Sequence, residues 1–503
     1  MCPTFSFFQF VFLIFLIGLT SCKVGPDFKL PASPPVKTYT GTSPVKKTIA
    51  TPYKNSAGEA QDFVLGQPVS EDWWMLFHSC AIDKMIQTGF SNSPTLASAK
   101  ATLHQAEETL RAQVGALLWP NLSGVLNGAR QQYAGSSIGL PGLSSDFNLY
   151  NAGVNVSYTL DVFGGNRRLI ETYRAQVDYQ RFQLAAAYLT LAGNIVTTAV
   201  SVASYKDQVA VTKELVRVEE ETLGIMKKQF KLGGISGAEI LTQEKQLAQD
   251  QATLPPLELT LLQLQHALAV LLGHYPSENY VSDINLDQLT LPQKLPVSLP
   301  SLLVRQRPDV SASEALLHQA SAEVGVATAN KFPQFAITGE YGWTNNSTSN
   351  LFSYHNIAWN YMGQITQSIF NAGSLEAQRQ AAIAAFVAAE GQYEQTVLQA
   401  FKNVADSLRA IEMDAKAFHA LVAQENASRG TFVMNEEQLK LGGVSYLNVL
   451  SAKAQYLQTK ILRIRAQAAR YNDTVALFVS LGGGWWEEKA GERINKCSGE
   501  IKK

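Results

Sequence analysis

Cys22 is the residue whose surroundings specify a covalent chemistry. Leu19-Thr20-Ser21-Cys22 closes an apolar run from Phe5 to Leu19, which has the length of a signal peptide and is short for a membrane-spanning helix. Small residues before a cysteine at that place form the pattern in which the thiol takes a diacylglycerol and becomes the mature N-terminus. Lys and Arg are missing before the apolar run, a departure from the usual signal, and the alternative is an ordinary secretory signal with a chance cysteine. Lipid on an exported chain anchors it to a bacterial membrane. Lys23, rather than an Asp, follows the cysteine, as in outer-membrane sorting. Of the four cysteines, Cys2 leaves with the signal, and Cys80 and Cys497 remain. They can pair in an oxidising compartment, but two lone cysteines so far apart more often stay unpaired.

No other group of residues assembles a reaction. The seven histidines are scattered. His104 and His318 fall at matching places on polar helix faces, where a structural or solvated role is the expectation. His78 and Cys80 lack the further ligands of a zinc site. Glu219-Glu220-Glu221 reads as a solvated helix face. Gly482-Gly483-Gly484 follows a helix instead of opening one, so it is no phosphate loop. The expectation is a protein that is not an enzyme and carries no cofactor or metal. A formal net charge of −1 gives no reason to propose nucleic acid as a partner.

The elements around these residues repeat. Lys231-Leu232-Gly233-Gly234-Ile235-Ser236 returns as Lys440-Leu441-Gly442-Gly443-Val444-Ser445. A glycine pair after a long apolar-periodic run stops a helix, and the following serine caps a new one running back. Leu103-His104-Gln105-Ala106 and Trp119-Pro120 correspond to Leu317-His318-Gln319-Ala320 and Phe332-Pro333. Phe163-Gly164-Gly165 corresponds to Phe370-Asn371-Ala372-Gly373. Each repeat reads short helix, strand, loop, strand, long helix, tip, return helix. Val154, Val156, Tyr158, Leu160 and Val162 alternate with polar residues, as do Phe335, Ile337, Tyr341 and Trp343, then Trp359, Tyr361, Gly363 and Ile365. Such strands, with aromatic ends, carry the pattern of an outer-membrane barrel, and a soluble sandwich alternates in the same way. Four strands cannot close a pore, so several chains must share one barrel or the strands must pack on something else. The helix from Asn166 to Lys231 rises roughly 100 Å. The return helix from Leu447 to Phe478 keeps a coiled-coil seam, and Pro255-Pro256 predicts a kink or break in its counterpart. No further apolar run is expected to reach spanning length.

The expected organisation is a signal at 1–21 and a lipidated, extended arm at 22–70. A first repeat covers 71–274, with strands at about 120–130 and 152–163 and a tip at 231–238. A linker covers 275–300. The second repeat covers 301–482, with strands at about 333–344 and 357–370 and a tip at 440–447, and a tail covers 483–503.

These landmarks resemble a known family. Cys22-Lys23-Val24-Gly25-Pro26-Asp27, Asp72-Trp73-Trp74 with Phe77, Asn92-Ser93-Pro94, Asp161-Val162-Phe163-Gly164-Gly165-Asn166-Arg167-Arg168, Leu254-Pro255-Pro256-Leu257-Glu258 before Leu271-Leu272-Gly273, and Arg307-Pro308-Asp309-Val310 are similar to the TolC-type outer-membrane efflux factors, in their nodulation-type lipoprotein branch. The match runs from Cys22 to about Gly482. The resemblance implies an α+β membrane protein: a homotrimer whose four strands per chain make a twelve-stranded barrel, continuous with a helical coiled-coil barrel in the periplasm. It implies an exit duct for drugs or toxic compounds, working with a periplasmic adaptor and an inner-membrane transporter of the RND type. The segments at 275–300 and after Trp485 would form the equatorial belt. Leu232, Gly233, Gly234, Ser236, Leu441, Gly442, Gly443 and Ser445 would dock the adaptor.

Family members carry an acidic ring after the second tip, where three copies of one charge meet on one axis and select cations. Here that stretch is Leu447-Asn448-Val449-Leu450-Ser451-Ala452, and both acids are absent. Asn448 and Ser451 stand where the acids would be. Their first-repeat counterparts are Glu239 and Thr242, which makes Glu239 either a ring residue at the pore constriction or a first-turn residue favoured by the helix dipole. Two other readings stay open: a TolC-type duct for type I protein secretion, and a lipid-anchored trimeric coiled-coil spacer without a pore.

Overall fold

The computed structural model describes residues 23–41, 46–134, 139, 142, 144–278 and 284–484. The expected signal, the expected lipid site at Cys22, the possible partner Cys497 and the tail beyond Gly484 lie outside the described residues. The chain runs β1 (Asp62–Leu65), α1 (Cys80–Asn92), α2 (Pro94–Leu118), β2 (Asn121–Ala134), β3 (Ser144–Leu160), α3 (Gly165–Lys231) and α4 (Gly237–Leu271). It continues with β4 (Lys294–Val297), α5 (Pro300–Gln306), α6 (Pro308–Ala329), β5 (Gln334–Asn345), β6 (Ile357–Thr366), α7 (Ser374–Lys440) and α8 (Tyr446–Ser480). The helices α3 and α7 have 67 residues each, and α4 and α8 have 35 each. The chain forms two compact units, and each takes segments from both halves of the sequence.

The first unit gathers Met1–Pro31, Ala101–Arg181 and Ala312–Glu394 over their described residues. Its centre is an antiparallel sheet in the order β2-β3-β5-β6. The register aligns the alternation across all four strands. Leu122, Val156, Gly339 and Tyr361 share one row and Leu126, Ala152, Trp343 and Ile357 another, while Ser123, Asn155, Glu340 and Asn360 line up on the opposite face. One face is therefore apolar, with Val154, Ile337, Tyr341, Trp359 and Tyr361 left exposed. β2 and β6, the outer strands, pair on one side only among the described residues.

Strand ends differ from the sequence expectation. β3 starts at Ser144 and stops at Leu160, because Asp161 turns to cap α3, its carboxylate accepting the Asn166 and Arg167 N–H groups at 2.9 Å each. β6 ends at Thr366, short of residue 370. There Ala372 and Gly373 adopt φ of 50° and 79° and swing the chain into α7, conformations that break a strand.

The second unit gathers Ala32–Lys100, Phe182–Ser311 and Gln395–Lys503 over their described residues. Trp73, Phe77, Ile82, Met85 and Ile86 are buried with Tyr471 and Phe478 of α8, each contributing about 1.5–3 kcal/mol by leaving water. The arm expected to be poorly structured is pinned here. β1 pairs in parallel with β4, which also gives structure to the 275–300 linker. Gln61 is buried and donates to Pro292 O at 3.1 Å and Thr474 Oγ1 at 3.0 Å. Arg470 donates to the carbonyls of Ala57 and Glu59. Buried backbone acceptors need donors, and Arg470 supplies them from another element.

Two further expectations change. α4 continues through Pro255 and Pro256 without a break. Only the Gln251 and Ala252 carbonyls lose their intrahelical donors, and 35 residues of helix outweigh that loss. In addition, α3 contains a segment long and apolar enough to cross a membrane by length and composition, since Leu184 to Tyr205 carries no charge. Its Ile195, Val196 and Val200 are buried inside the unit. Ile195 lies against Gly89 of α1, and Val479 of α8 lies against Gly193. Tight packing of small residues, not lipid, explains this composition.

Candidate functional site

Both tips use one device. At the end of α3 the Gly233 N–H donates to Phe230 O at 2.9 Å and Gly234 N–H to Gln229 O at 2.9 Å, with Gly233 at φ 75°. At the end of α7, Gly442 donates to Leu439 O at 3.0 Å and Gly443 to Gln438 O at 2.8 Å, with Gly442 at φ 76°. This paired closure needs a left-handed residue that only glycine adopts without strain. Leu232 and Leu441, the residues just before, are 86% and 87% exposed. The same closure ends α8, where Gly483 N–H bonds to Phe478 O at 3.0 Å, so the triple glycine is a helix stop.

The return helices start on serine caps. Ser236 accepts the Glu239 N–H, and the Glu239 carboxylate accepts the Ser236 N–H at 2.7 Å, completing a capping box. Ser445 accepts the Asn448 N–H at 3.4 Å and donates its hydroxyl to Asn448 Oδ1 at 2.8 Å. Glu239 and Asn448 thus hold the same place, one charged and one neutral. Thr242 donates back to Ala238 O at 2.9 Å, and Ser451 is exposed. Glu239 is exposed as well, with its carboxylate engaged by its own cap.

Above the tips, α8 is tied to α3 by contacts that sequence reasoning missed. Tyr446 donates to Glu221 at 2.7 Å, Lys453 pairs with Glu214 at 2.7 Å, and Arg465 donates to Gln208 at 2.6 Å. Bonds from Arg217 and Lys453 hold Glu214 at about 2. Of Glu219-Glu220-Glu221, Glu220 is exposed as the sequence suggested, whereas Glu219 is not. Glu219 is only 6% exposed and accepts from Gln243 of α4, while Gln251 donates to Glu220 at 3.2 Å. Burial raises the pKa of Glu219, against the Gln243 bond and reinforced by Asp250. The spacing Glu214, Arg217, Glu221 was the available signal, since it places three charges on one face.

A second constellation lies where β3 turns into α3. Arg168 is 1% exposed and donates to Val24 O at 3.1 Å, Gly25 O at 3.2 Å, Asp27 at 2.8 Å and Glu171 at 3.0 Å. Val24 N–H returns to Phe163 O at 3.1 Å. Lys23 reaches Glu171 at 2.5 Å, His318 reaches it at 2.9 Å, and Phe28 stacks on His318 with centroids 4.4 Å apart. Burial alone would raise the pKa of Glu171, but bonds from Lys23, His318 and Arg168 bring it to about 2. A side chain on Gly325 would collide with Arg168, and one on Gly164 would come within 2.9 Å of the Lys23 Cα. His318 is thus structural, while His104 stays on the surface near Glu107, 3.8 Å away. Cys80 opens α1 in an exposed position. Among the described residues no cluster of three metal-ligating side chains occurs.

The family model described as outer membrane efflux protein matches residues 85–274 and 299–483. The chain is 26% identical over 426 residues to the pyoverdine export outer membrane protein OpmQ of Pseudomonas aeruginosa, covering 83% of this chain and 88% of that one. It is 26% identical over 496 residues to the toluene efflux pump outer membrane protein TtgC of Pseudomonas putida, covering 97% of each. The solved outer-membrane channel OprN superposes with a TM-score of 0.79 at 25% identity, covering 92% of this chain and all of that one. The chain belongs to the outer membrane efflux protein family and is an outer-membrane efflux channel, not an enzyme.

Proposed function

We propose that three copies of this chain close one twelve-stranded barrel in the outer membrane and form a helical tunnel in the periplasm. That tunnel is the passive exit duct of a tripartite pump. The observation that carries this reading is the four-stranded sheet, which has an apolar face in register and two outer strands open to pairing. A barrel removes such edges, and four strands enclose no lumen. A coiled-coil spacer would have no use for the apolar stripe.

The chain is a lipoprotein of the nodulation-type branch, carrying its acyl chains on Cys22. The seat around Arg168 supports this, because it fixes Lys23, the next residue, beside the β3–α3 turn. The two tips dock a periplasmic adaptor through Leu232, Gly233, Gly234, Leu441, Gly442 and Gly443, with Ser236 and Ser445 holding the return helices. The inner-membrane partner is an RND-type transporter, and the cargo is small molecules. Relatives named for pyoverdine export and toluene efflux favour this over a duct for secreted proteins. Three Glu239 carboxylates add negative charge at the periplasmic mouth, where Asn448, Thr242 and Ser451 contribute hydrogen bonds only.

Deleting the gene and measuring accumulation of a dye and of cationic and neutral drugs tests the reading. Accumulation should rise and return to normal with the wild-type gene. Normal efflux combined with loss of a secreted protein would favour the secretion duct.

A further inference from the structure

Where the helices leave the sheet, α3, α6 and the start of α7 enclose a cleft of about 450 Å³. A smaller hollow of about 80 Å³ continues it toward the β3–α3 turn, and Leu169, Val326 and Asn330 line both. The helix period gives the side on which the cleft opens. Arg168 and His318 hold residues 23–28 against one side of α3 and α6. Tyr173 and Glu323, each five residues further on, are turned about 140° away from them, and both line the cleft. Thr159 and Gln334 line the smaller hollow and belong to the polar face of the sheet, with Asn155, Ser157, Thr338 and Glu340. The cleft therefore opens on the side of the polar face, away from the arm.

Its lining suits a drug-sized molecule, with an aromatic ring, a few apolar side chains and amides around a single charge. That charge is Glu323, whose carboxylate accepts from the neutral Gln319 at 3.1 Å. No Lys or Arg lines the cleft or the hollow, and Asp161, in the hollow, is occupied in capping α3. Among the described residues of the four strands, the polar face carries one charged side chain, Glu340, which is again an acid. The internal repeat sets Ala382 and Thr109 at the positions matching Tyr173 and Glu323, so the ring and the carboxylate are not a by-product of the duplication.

We propose that this cleft is a transit site for aromatic organic cations, held by the Glu323 carboxylate and the Tyr173 ring. A cation over an aromatic face is attracted by the ring electrons, and the carboxylate supplies the opposite charge. An aromatic anion of similar size meets acids alone. Weak holding suits a passage: an exposed ion pair raises affinity up to about fivefold, which enriches the cargo without trapping it. The inference rests on the exit duct proposed above, which turns the polar face toward the lumen, and it names the class of cargo that the duct favours.

Ethidium, a planar aromatic cation, tests this on the purified protein by fluorescence anisotropy, with protein-free micelles as the blank. Saturable binding is expected, whereas the anionic dye pyranine should not bind. Glu323→Gln should weaken ethidium binding about fivefold in low salt, and about 1 M salt should bring the wild type to the level of that variant. Tyr173→Ala should weaken it about threefold, while Tyr173→Phe keeps the ring and the affinity. Ala327→Trp fills the cleft without changing charge and should abolish saturable binding. Glu108→Gln, an exposed acid on α2, is the control and should bind as the wild type does. Absence of saturable ethidium binding overturns the cleft, as do equal affinities in wild type, Glu323→Gln and Ala327→Trp, or pyranine binding as strongly as ethidium. Protein that binds ethidium in the expected pattern and never conducts in a bilayer overturns the duct instead and leaves the cleft standing.

Discussion

Replacing Arg168 with methionine removes three bonds that hold residues 23–28 and leaves a side chain of similar reach in the same space. The lost donors served Val24 O, Gly25 O and Asp27. Hydrogen bonds to a charged group are worth about 1.5–3 kcal/mol each, but the released acceptors regain water and such terms do not add. Asp27 is already exposed to solvent in the intact seat. A net loss of about 3 kcal/mol is therefore expected, equivalent to roughly a 150-fold rise in the open population. The Val24 amide, bonded to Phe163 O at 3.1 Å, reports that opening directly. Residue-resolved hydrogen exchange on the purified protein should show its protection falling by about two orders of magnitude, with amides in the middle of α3 unchanged. Arg181→Met, an exposed site on the same helix, is the control. Gly164→Ala should open the seat as well, since its Cβ would crowd Lys23 in a left-handed conformation. Protection of Val24 within about threefold of wild type in Arg168→Met would refute the clamp, and with it the magnitude argument.

Other outcomes follow from the same geometry. Glu171, held at about 2, contributes stability that is intact above its ordinary range near 4.5 and is lost as pH falls from there toward 2. Hydrogen exchange of the seat between pH 6 and pH 3 should show it opening only at the acid end. Burial and the neighbouring Asp473 push Asp414 up to about 7, so its cost is present above pH 7 and is relieved as pH falls toward 4. Asp414→Asn should stabilise the helices by roughly 1–2 kcal/mol at pH 8, allowing for solvent screening, and flatten the melting temperature between pH 5 and 8. Glu239→Gln should lower cation preference in single-channel recordings with no change in trimer yield, and unchanged selectivity would restrict Glu239 to capping. Gly233→Val and Gly442→Val place a branched residue at positive φ. They should cost a few kcal/mol locally and reduce adaptor pull-down severalfold with trimers intact, whereas loss of trimers would assign these glycines to folding.

Much of this was legible because it is local. Leu232-Gly233-Gly234 with Ser236, and its twin at Leu441, encode their closures within eight residues, and the strands announce their faces by alternation. What escaped depends on partners distant in sequence. Arg470 serves carbonyls of Ala57 and Glu59, and β1 pairs with β4 over four residues, so composition alone made the arm look unstructured. Glu219 was misplaced because a run of acids does not say which face of a helix meets its neighbour. The uncharged stretch from Leu184 to Tyr205 looked unremarkable for the opposite reason: core packing against glycine and alanine uses the same residues as a membrane span.

The central claim is that this chain forms a conducting duct. Single-channel recording of the purified protein in planar bilayers tests it most directly. Discrete, ohmic openings from the proposed trimer are expected, present without adaptor or pump and without any energy source. An SDS-resistant trimer with native strand content that inserts into the bilayer and never conducts would contradict it.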